Sequence, residues 1–270
     1  MKLGIGTYAY MWSIGFSGAE PAKPMTALEL LVKARELGVR VVQYGPNLPL
    51  DRFPEAELEG LVRRAREWEI ELEVGTRGLE AEHLRRQIAF TQRVGATLLR
   101  TIPEIGDGGI PSMAEAANLL RTVLPDLESA GVRLAMENGR IPSAELRGLL
   151  DSLHSPWVGI TLDTVNSLAI PEGWEEVTRN LAPYTLCLHV KDFVVQRVWH
   201  MMGFTVEGRP AGQGQLDLAG LLEMLRDAKV SPNAILELWV PEQGALEETV
   251  RLEQTWVEQS ISYLRQHIRD

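Results

Sequence analysis

Short apolar runs alternate with longer amphipathic stretches along the whole chain. The runs fall at residues 3–7, 39–44, 71–75, 97–102, 132–137, 158–163, 185–190 and 234–238. They are nearly continuous rather than alternating in polarity, the pattern of strands covered on both faces. Between them lie segments of helical spacing at 27–37, 54–68, 80–94, 112–130, 143–153, 172–181, 216–228 and 246–268. In the first of these Leu28, Leu31, Val32 and Leu37 share a face. Thr26 and Ser112 are placed as N-caps, and Gly38, Gly95 and Gly131 stand where helices stop.

Eight strands and eight helices in strict alternation predict parallel strands joined by right-handed crossovers. Eight such units in about 250 residues make a (β/α)8 TIM barrel, here one α/β domain spanning 1–270. The rival, an open doubly wound sheet, wants a glycine-rich turn after the first strand that opens a helix. Gly4 and Gly6 lie inside the strand instead, and a long loop follows. One stretch stands outside the rhythm, residues 193–215, and reads as a long irregular segment.

Composition narrows the function. The chain is 45% hydrophobic and 24% charged, with a net charge of −10. That balance argues against a nucleic-acid partner, which needs a basic face for phosphates. The single cysteine, Cys187, rules out an intramolecular disulfide and fits a reducing compartment. The N-terminus has no secretory pattern, and no apolar run approaches the roughly 20 residues that span a bilayer. A cytoplasmic protein without membrane association is the expectation.

The chemistry gathers at strand ends. Strands five to eight end in Glu137, Asp163, His189 and Glu237. In a (β/α)8 barrel these positions face the open C-terminal mouth, where catalytic residues sit. Taken singly, each carboxylate could be a cap or ion-pair partner and the histidine a core residue. Taken together, three crowded carboxylates would repel unless a cation joins them. Three oxygens and one nitrogen suit Mn2+, Mg2+, Co2+ or Zn2+.

Further residues qualify for a substrate. The 193–215 segment carries Arg197, Trp199, His200, Met201, Met202, Phe204 and Arg209, which suggests a lid, with Arg197 and His200 as substrate contacts. Lys191 and Asn166 are candidate donors to substrate oxygens. Arg100 ends strand four and either meets substrate or pairs with Glu73, Glu104 or Glu137. Tyr8 and Trp12 stand after strand one, placed for stacking on a sugar or for rim packing.

Several ordered segments resemble the xylose isomerase-like barrels, the sugar isomerase and epimerase group that also contains endonuclease-four type DNA repair enzymes. They are Gly4-Ile5-Gly6-Thr7-Tyr8, Met136-Glu137-Asn138, Leu162-Asp163-Thr164-Val165-Asn166, Leu188-His189-Val190-Lys191-Asp192, Gly212-Gln213-Gly214 with Asp217, and Leu236-Glu237. The resemblance implies that Glu137, Asp163, His189 and Glu237 bind one divalent metal ion, Mn2+ ahead of Mg2+, Co2+ or Zn2+. It also implies that Glu137 and Glu237 act as an acid–base pair beside a carbonyl, and that the chain forms a homodimer or homotetramer. Three positions depart from the group's common pattern: Gly139 and Asn166, where many relatives carry histidine, and Gln213, where many carry glutamate. The leading expectation is a metal-dependent isomerase or epimerase of a keto-sugar or polyol. The alternative is a dehydratase or lyase acting on a 3-oxo-sugar or inosose with the same site, and a remote third is a non-catalytic sugar-binding barrel. DNA repair is set aside, because five histidines and an acidic balance fit a three-metal nuclease poorly.

Overall fold

The computed structural model describes residues 1–268. Its strands are β1 (Leu3–Gly6), β2 (Val41–Tyr44), β3 (Glu71–Arg77), β4 (Leu98–Ile102), β5 (Arg133–Glu137), β6 (Val158–Asp163), β7 (Thr185–Val190), β8 (Asp192–Arg197), β9 (Phe204–Arg209) and β10 (Asn233–Leu236). Eight of them close a parallel barrel in the order β1-β10-β7-β6-β5-β4-β3-β2. The helices are α1 (Met11–Ile14), α2 (Ala27–Leu37), α3 (Glu55–Glu67), α4 (Ala81–Arg93), α5 (Met113–Ala130), α6 (Ser143–Leu153), α7 (Trp174–Leu181), α8 (Leu218–Asp227) and α9 (Leu246–Leu264). The TIM barrel read from the hydrophobic pattern is therefore the architecture observed.

Local chemistry sets the helix ends. Thr26 and Glu29 form a reciprocal capping box at the start of α2, and Gly38 closes it at φ +64°, where a side chain would be strained. Ser112 caps α5 by accepting from Glu115 N. The buried stripe of α2 is Ala27, Leu30, Leu31 and Ala34, which packs into the main core between sheet and helices; of the face read from spacing only Leu31 is fully buried, with Leu28, Val32 and Leu37 partly exposed beside it. Burying each leucine contributes about 2 kcal/mol. A second, small cluster of Val41, Leu98, Ala135, Cys187 and Ile235 fills the barrel interior.

Two features differ from the sequence reading. Residues 193–215 are not irregular throughout: β8 and β9 pair antiparallel from Asp192↔Arg209 to Arg197↔Phe204. Gly208 sits at the root of this hairpin, where a Cβ would come within 1.8 Å of the Trp239 ring, so only glycine lets the ribbon lie against the barrel. Beyond the root the tip leaves Trp199, Met202 and Phe204 exposed. Trp174, Trp239 and Trp256, by contrast, look like surface aromatics in the sequence, yet all three are partly buried against the core.

Candidate active site

Strand register brings the four strand-end residues together. Asp163 pairs in register with His189, and Glu137 with Thr161. A register shift between Ile160 and Thr161 absorbs one extra residue of β7, a bulge that aligns Asp163 with His189. Glu237 follows β10, next to β7. All four side chains are buried.

They converge on one atom. His189 Nδ1 lies 3.4 Å from Glu137 Oε2, 3.8 Å from Asp163 Oδ2 and 3.3 Å from Glu237 Oε1. That nitrogen is buried without a hydrogen-bond partner. Its other ring nitrogen, Nε2, is 2.7 Å from Gln43 Oε1. Ligand atoms about 2.1 Å from a tetrahedral ion stand about 3.4 Å apart, close to the spacings seen around Nδ1. Glu137, Asp163 and His189 present donor atoms within 4.8 Å of one another, a buried group able to hold a metal ion. An orphaned imidazole nitrogen facing three carboxylate oxygens fits a divalent cation, since the ion would satisfy the nitrogen and neutralise the oxygens together.

Two cations belong to the same cluster. Arg100 donates to Glu137 Oε2 from inside the barrel. Burial opposes its charge, but Glu137 and Glu237 outweigh that and hold its pKa above the ordinary value. Lys191 Nζ sits 2.8 Å from Asp163 Oδ2 and 2.9 Å from Glu237 Oε2. Burial likewise works against the ammonium, yet Asp163, Glu237 and Glu137 raise its pKa. For Glu237 burial favours the neutral form, and His189, Lys191 and Arg100 overcome it, so its carboxyl titrates below the usual range.

The remaining ligand oxygens are also held. Asn166 Nδ2 donates to Glu137 Oε1 at 2.6 Å. Asp163 Oδ1 accepts from the backbone N–H groups of Val165 and Asn166, both at 2.8 Å. Asn138 ties the ends of β5 and β6 together: its Oδ1 accepts from Asp163 N at 2.7 Å and its Nδ2 donates to Asp163 O at 3.0 Å. Gly139 and Asn166, two separate departures in sequence, are one arrangement in space. Gly139 has φ +139°, and a Cβ there would fall 2.6 Å from the Cβ of Asn166. The missing side chain at 139 is what lets Asn166 reach Glu137.

The other expected substrate contacts divide. Tyr8 lies beside the cluster: burial raises its pKa, with Arg100, Glu237 and Glu137 all acting on it electrostatically. Asn166 and Lys191 are within the cluster. Arg100 is buried and committed to Glu137. Trp12 packs at the rim, its indole donating to Val240 O at 3.0 Å and its ring edge on Phe16. Arg197 and His200 are left at the exposed hairpin tip: Arg197 donates to Met201 O, and His200 meets Trp199 edge to face. The Gly212-Gln213-Gly214 segment is scaffolding, since Gly212 N and Gly214 N both donate to buried Asp192 Oδ2, and Asp217 caps α8.

Sequence reading gives no role in the site to Gln43 or Arg77, names Glu73 only as a possible partner of Arg100, and includes Asn138 only as part of a motif. Gln43 is legible as a polar residue two positions from Val41, and Glu73 as a carboxylate inside a run read as a buried strand. Arg77 continues the inward period of Glu73 and Gly75 to the mouth, where Glu104 holds it through two hydrogen bonds of 2.7 and 2.8 Å.

With this geometry in hand, comparison with known proteins assigns the class. The family model for the xylose isomerase-like TIM barrel matches residues 13–267, and the chain belongs to that family. It is 34% identical over 265 residues to a 3-oxo-isoapionate decarboxylase of Pectobacterium atrosepticum, covering 98% of this chain and 95% of that protein. Among solved structures it resembles a D-psicose 3-epimerase with D-tagatose from Clostridium cellulolyticum H10, with a TM-score of 0.73, 15% identity, and 98% and 97% of the two chains covered. It also resembles a xylose isomerase-like barrel protein from Mycobacterium smegmatis in complex with magnesium, with a TM-score of 0.70, 12% identity and 97% of each chain covered. These two likenesses define the fold. Among the described residues no helix is long and apolar enough to cross a membrane.

Proposed function

We propose that this protein is a metal-dependent lyase that decarboxylates a 3-oxo sugar acid, the alternative of the sequence reading rather than its leading epimerase. The observation that carries the choice is the pairing of both candidate acid–base carboxylates with cations, Glu137 with buried Arg100 and Glu237 with the partly exposed Lys191. An epimerase needs two carboxylates free to exchange protons with carbon. Loss of CO2 needs no base, because the group that leaves is not a proton. The 34% identity to a decarboxylase of a 3-oxo acid supports the same reading.

Glu137, Asp163, His189 and Glu237 would hold the divalent ion, Mn2+ ahead of Mg2+, Co2+ or Zn2+. When bound, it supplies a Lewis acid that polarises the substrate carbonyl. In the reaction the bond between the carboxylate and C2 breaks, and its electron pair enters the C2–C3 bond as the carbonyl electrons move onto oxygen. Lys191, partly open to the mouth at 13% exposure, donates a hydrogen bond to that developing oxyanion. Asn166, whose Oδ1 accepts from Lys191 at 3.3 Å, and Tyr8, beside Glu137 and Glu237, would orient the hydroxyl groups. Arg77, half exposed at the mouth, meets the carboxylate on entry. C2 then takes a proton through Lys191, which recovers it from solvent.

Incubating Mn2+-loaded protein with a 3-oxo sugar acid in 2H2O tests the proposal. The expected result is CO2 release with one deuterium at the carbon that lost it, and no epimerisation of ketoses. Ketose epimerisation with solvent exchange, and no CO2 from the oxo acid, would overturn it.

A further inference from the structure

A polar chain runs down the barrel axis beneath the metal-binding cluster, and the function just described does not use it. Glu73 on β3 is buried at 3% exposure. Its Oε1 accepts from Asn233 Nδ2 at 2.9 Å and its Oε2 from Gln43 Nε2 at 2.9 Å. The same Gln43 amide nitrogen is 3.4 Å from Cys187 Sγ, so two neighbours on the inner face receive its N–H groups. With its nitrogen committed downward, the Gln43 amide can present only its oxygen to His189. That oxygen sits 2.7 Å from Nε2, which must then carry the proton. A neutral ring protonated at Nε2 leaves a lone pair on Nδ1, the atom aimed at Glu137, Asp163 and Glu237.

We infer that Glu73 and Gln43 are positioning residues for the metal site: Glu73 fixes the direction of the Gln43 amide, and Gln43 fixes the tautomer in which His189 Nδ1 donates to the ion. The inference rests on the metal reading of the cluster. Reversing the Gln43 amide would set its N–H against Nε2 and force the imidazole proton onto Nδ1, among the intended ligands. Partners that orient a ligating imidazole typically change metal affinity 10- to 100-fold when lost. The register that creates the chain is a property of the barrel: Glu73 pairs with Gln43 across β2 and β3, and Asn233 with Cys187 across β10 and β7.

The test titrates the purified protein with Mn2+ alone. Gln43→Met, which removes the acceptor, should bind about 10- to 100-fold more weakly than wild type. Glu73→Met should weaken binding in the same direction, and its effect on thermal stability combines the loss of a buried carboxylate with two amide donors, Gln43 Nε2 and Asn233 Nδ2, left without their acceptor. The double variant Gln43→Glu with Glu73→Gln swaps the two groups and keeps every donor facing an acceptor, so it should bind within about threefold of wild type. In Mg2+-loaded wild-type protein, NMR should show a slowly exchanging His189 Nε2–H. Wild-type affinity in either Met variant would overturn the inference, as would a swap that binds no better than Glu73→Met. Absence of the protected Nε2–H overturns it even where no variant folds. Failure of wild type to bind any divalent ion sinks the metal site itself, an outcome distinct from tight binding that is indifferent to residues 43 and 73.

Discussion

Lys191 Nζ sits 2.9 Å from Glu237 Oε2, while the other oxygen of the same carboxylate, Oε1, faces His189 Nδ1 at 3.3 Å. Glu237 therefore serves two cationic positions at once: the lysine leaves its Oε1 clear, but on Asp163 it shares Oδ2, the oxygen that faces His189 Nδ1. Lys191→Met should abolish most catalysis, on the order of 10²- to 10³-fold in kcat, the usual loss of an oxyanion donor. Its Mn2+ affinity should be unchanged or tighter, because a competing cation has gone. Steady-state kinetics beside a metal titration check both, and a variant that retains kcat removes Lys191 from the mechanism.

Arg100 and Glu137 form an ion pair with both side chains almost fully buried. Arg100→Leu strands a carboxylate in the barrel and should cost about 3–5 kcal/mol in the metal-free protein. Divalent ion should restore part of that loss, since it neutralises the same oxygen. Denaturant unfolding with and without Mn2+ reads the difference; an equal loss in both conditions would contradict a shared site.

Gly139 and Asn166 predict a sharp local penalty. Gly139→Ala places a Cβ 2.6 Å from that of Asn166 at φ +139°. It should cost about 1–3 kcal/mol and loosen the Asn166 bond to Glu137. Adding Asn166→Gly should recover the steric part and leave the backbone strain. Thermal melts of the single and double variants separate the two contributions.

Glu253 on α9 gives a pH dependence. It accepts from Trp12 N, Ser13 N and Ser13 Oγ, pinning the loop that follows β1. Burial raises its carboxyl pKa to about 7, against the resisting hydrogen bonds of Ser13 and Trp12. The folded protein thus binds this proton more tightly than the unfolded chain does. Stability from this group is complete below the unfolded pKa near 4.5 and falls as pH rises through about 7. The span is on the order of 3 kcal/mol. Glu253→Gln should flatten the stability profile between pH 5 and pH 7, roughly the window those two values bound. An unaltered profile would assign the slope to other groups.

Metal should stabilise the fold by mass action, by about 2.7 kcal/mol at a free concentration one hundred times Kd. Adding EDTA should reverse the shift in Tm, and Asp163→Asn should remove it. A Tm indifferent to Mn2+, Mg2+, Co2+ and Zn2+ alike would count against the site.

Much of this protein is legible without coordinates. The eight apolar runs and the caps at Thr26, Ser112, Gly38 and Gly131 determine the barrel, because strand burial and helix termination are local requirements written in residue type. The barrel then fixes which residues end strands at the mouth, so Glu137, Asp163, His189 and Glu237 follow from position alone. The hairpin escaped detection because its pairing joins residues of mixed polarity, and Gly208 has meaning only against Trp239. Tertiary structure alone decided which cation meets which carboxylate, that Gly139 makes room for Asn166, and that Glu73 reaches His189 through Gln43. Those relations depend on register between strands tens of residues apart and on the direction of single hydrogen bonds, and a linear pattern of polar and apolar positions encodes neither.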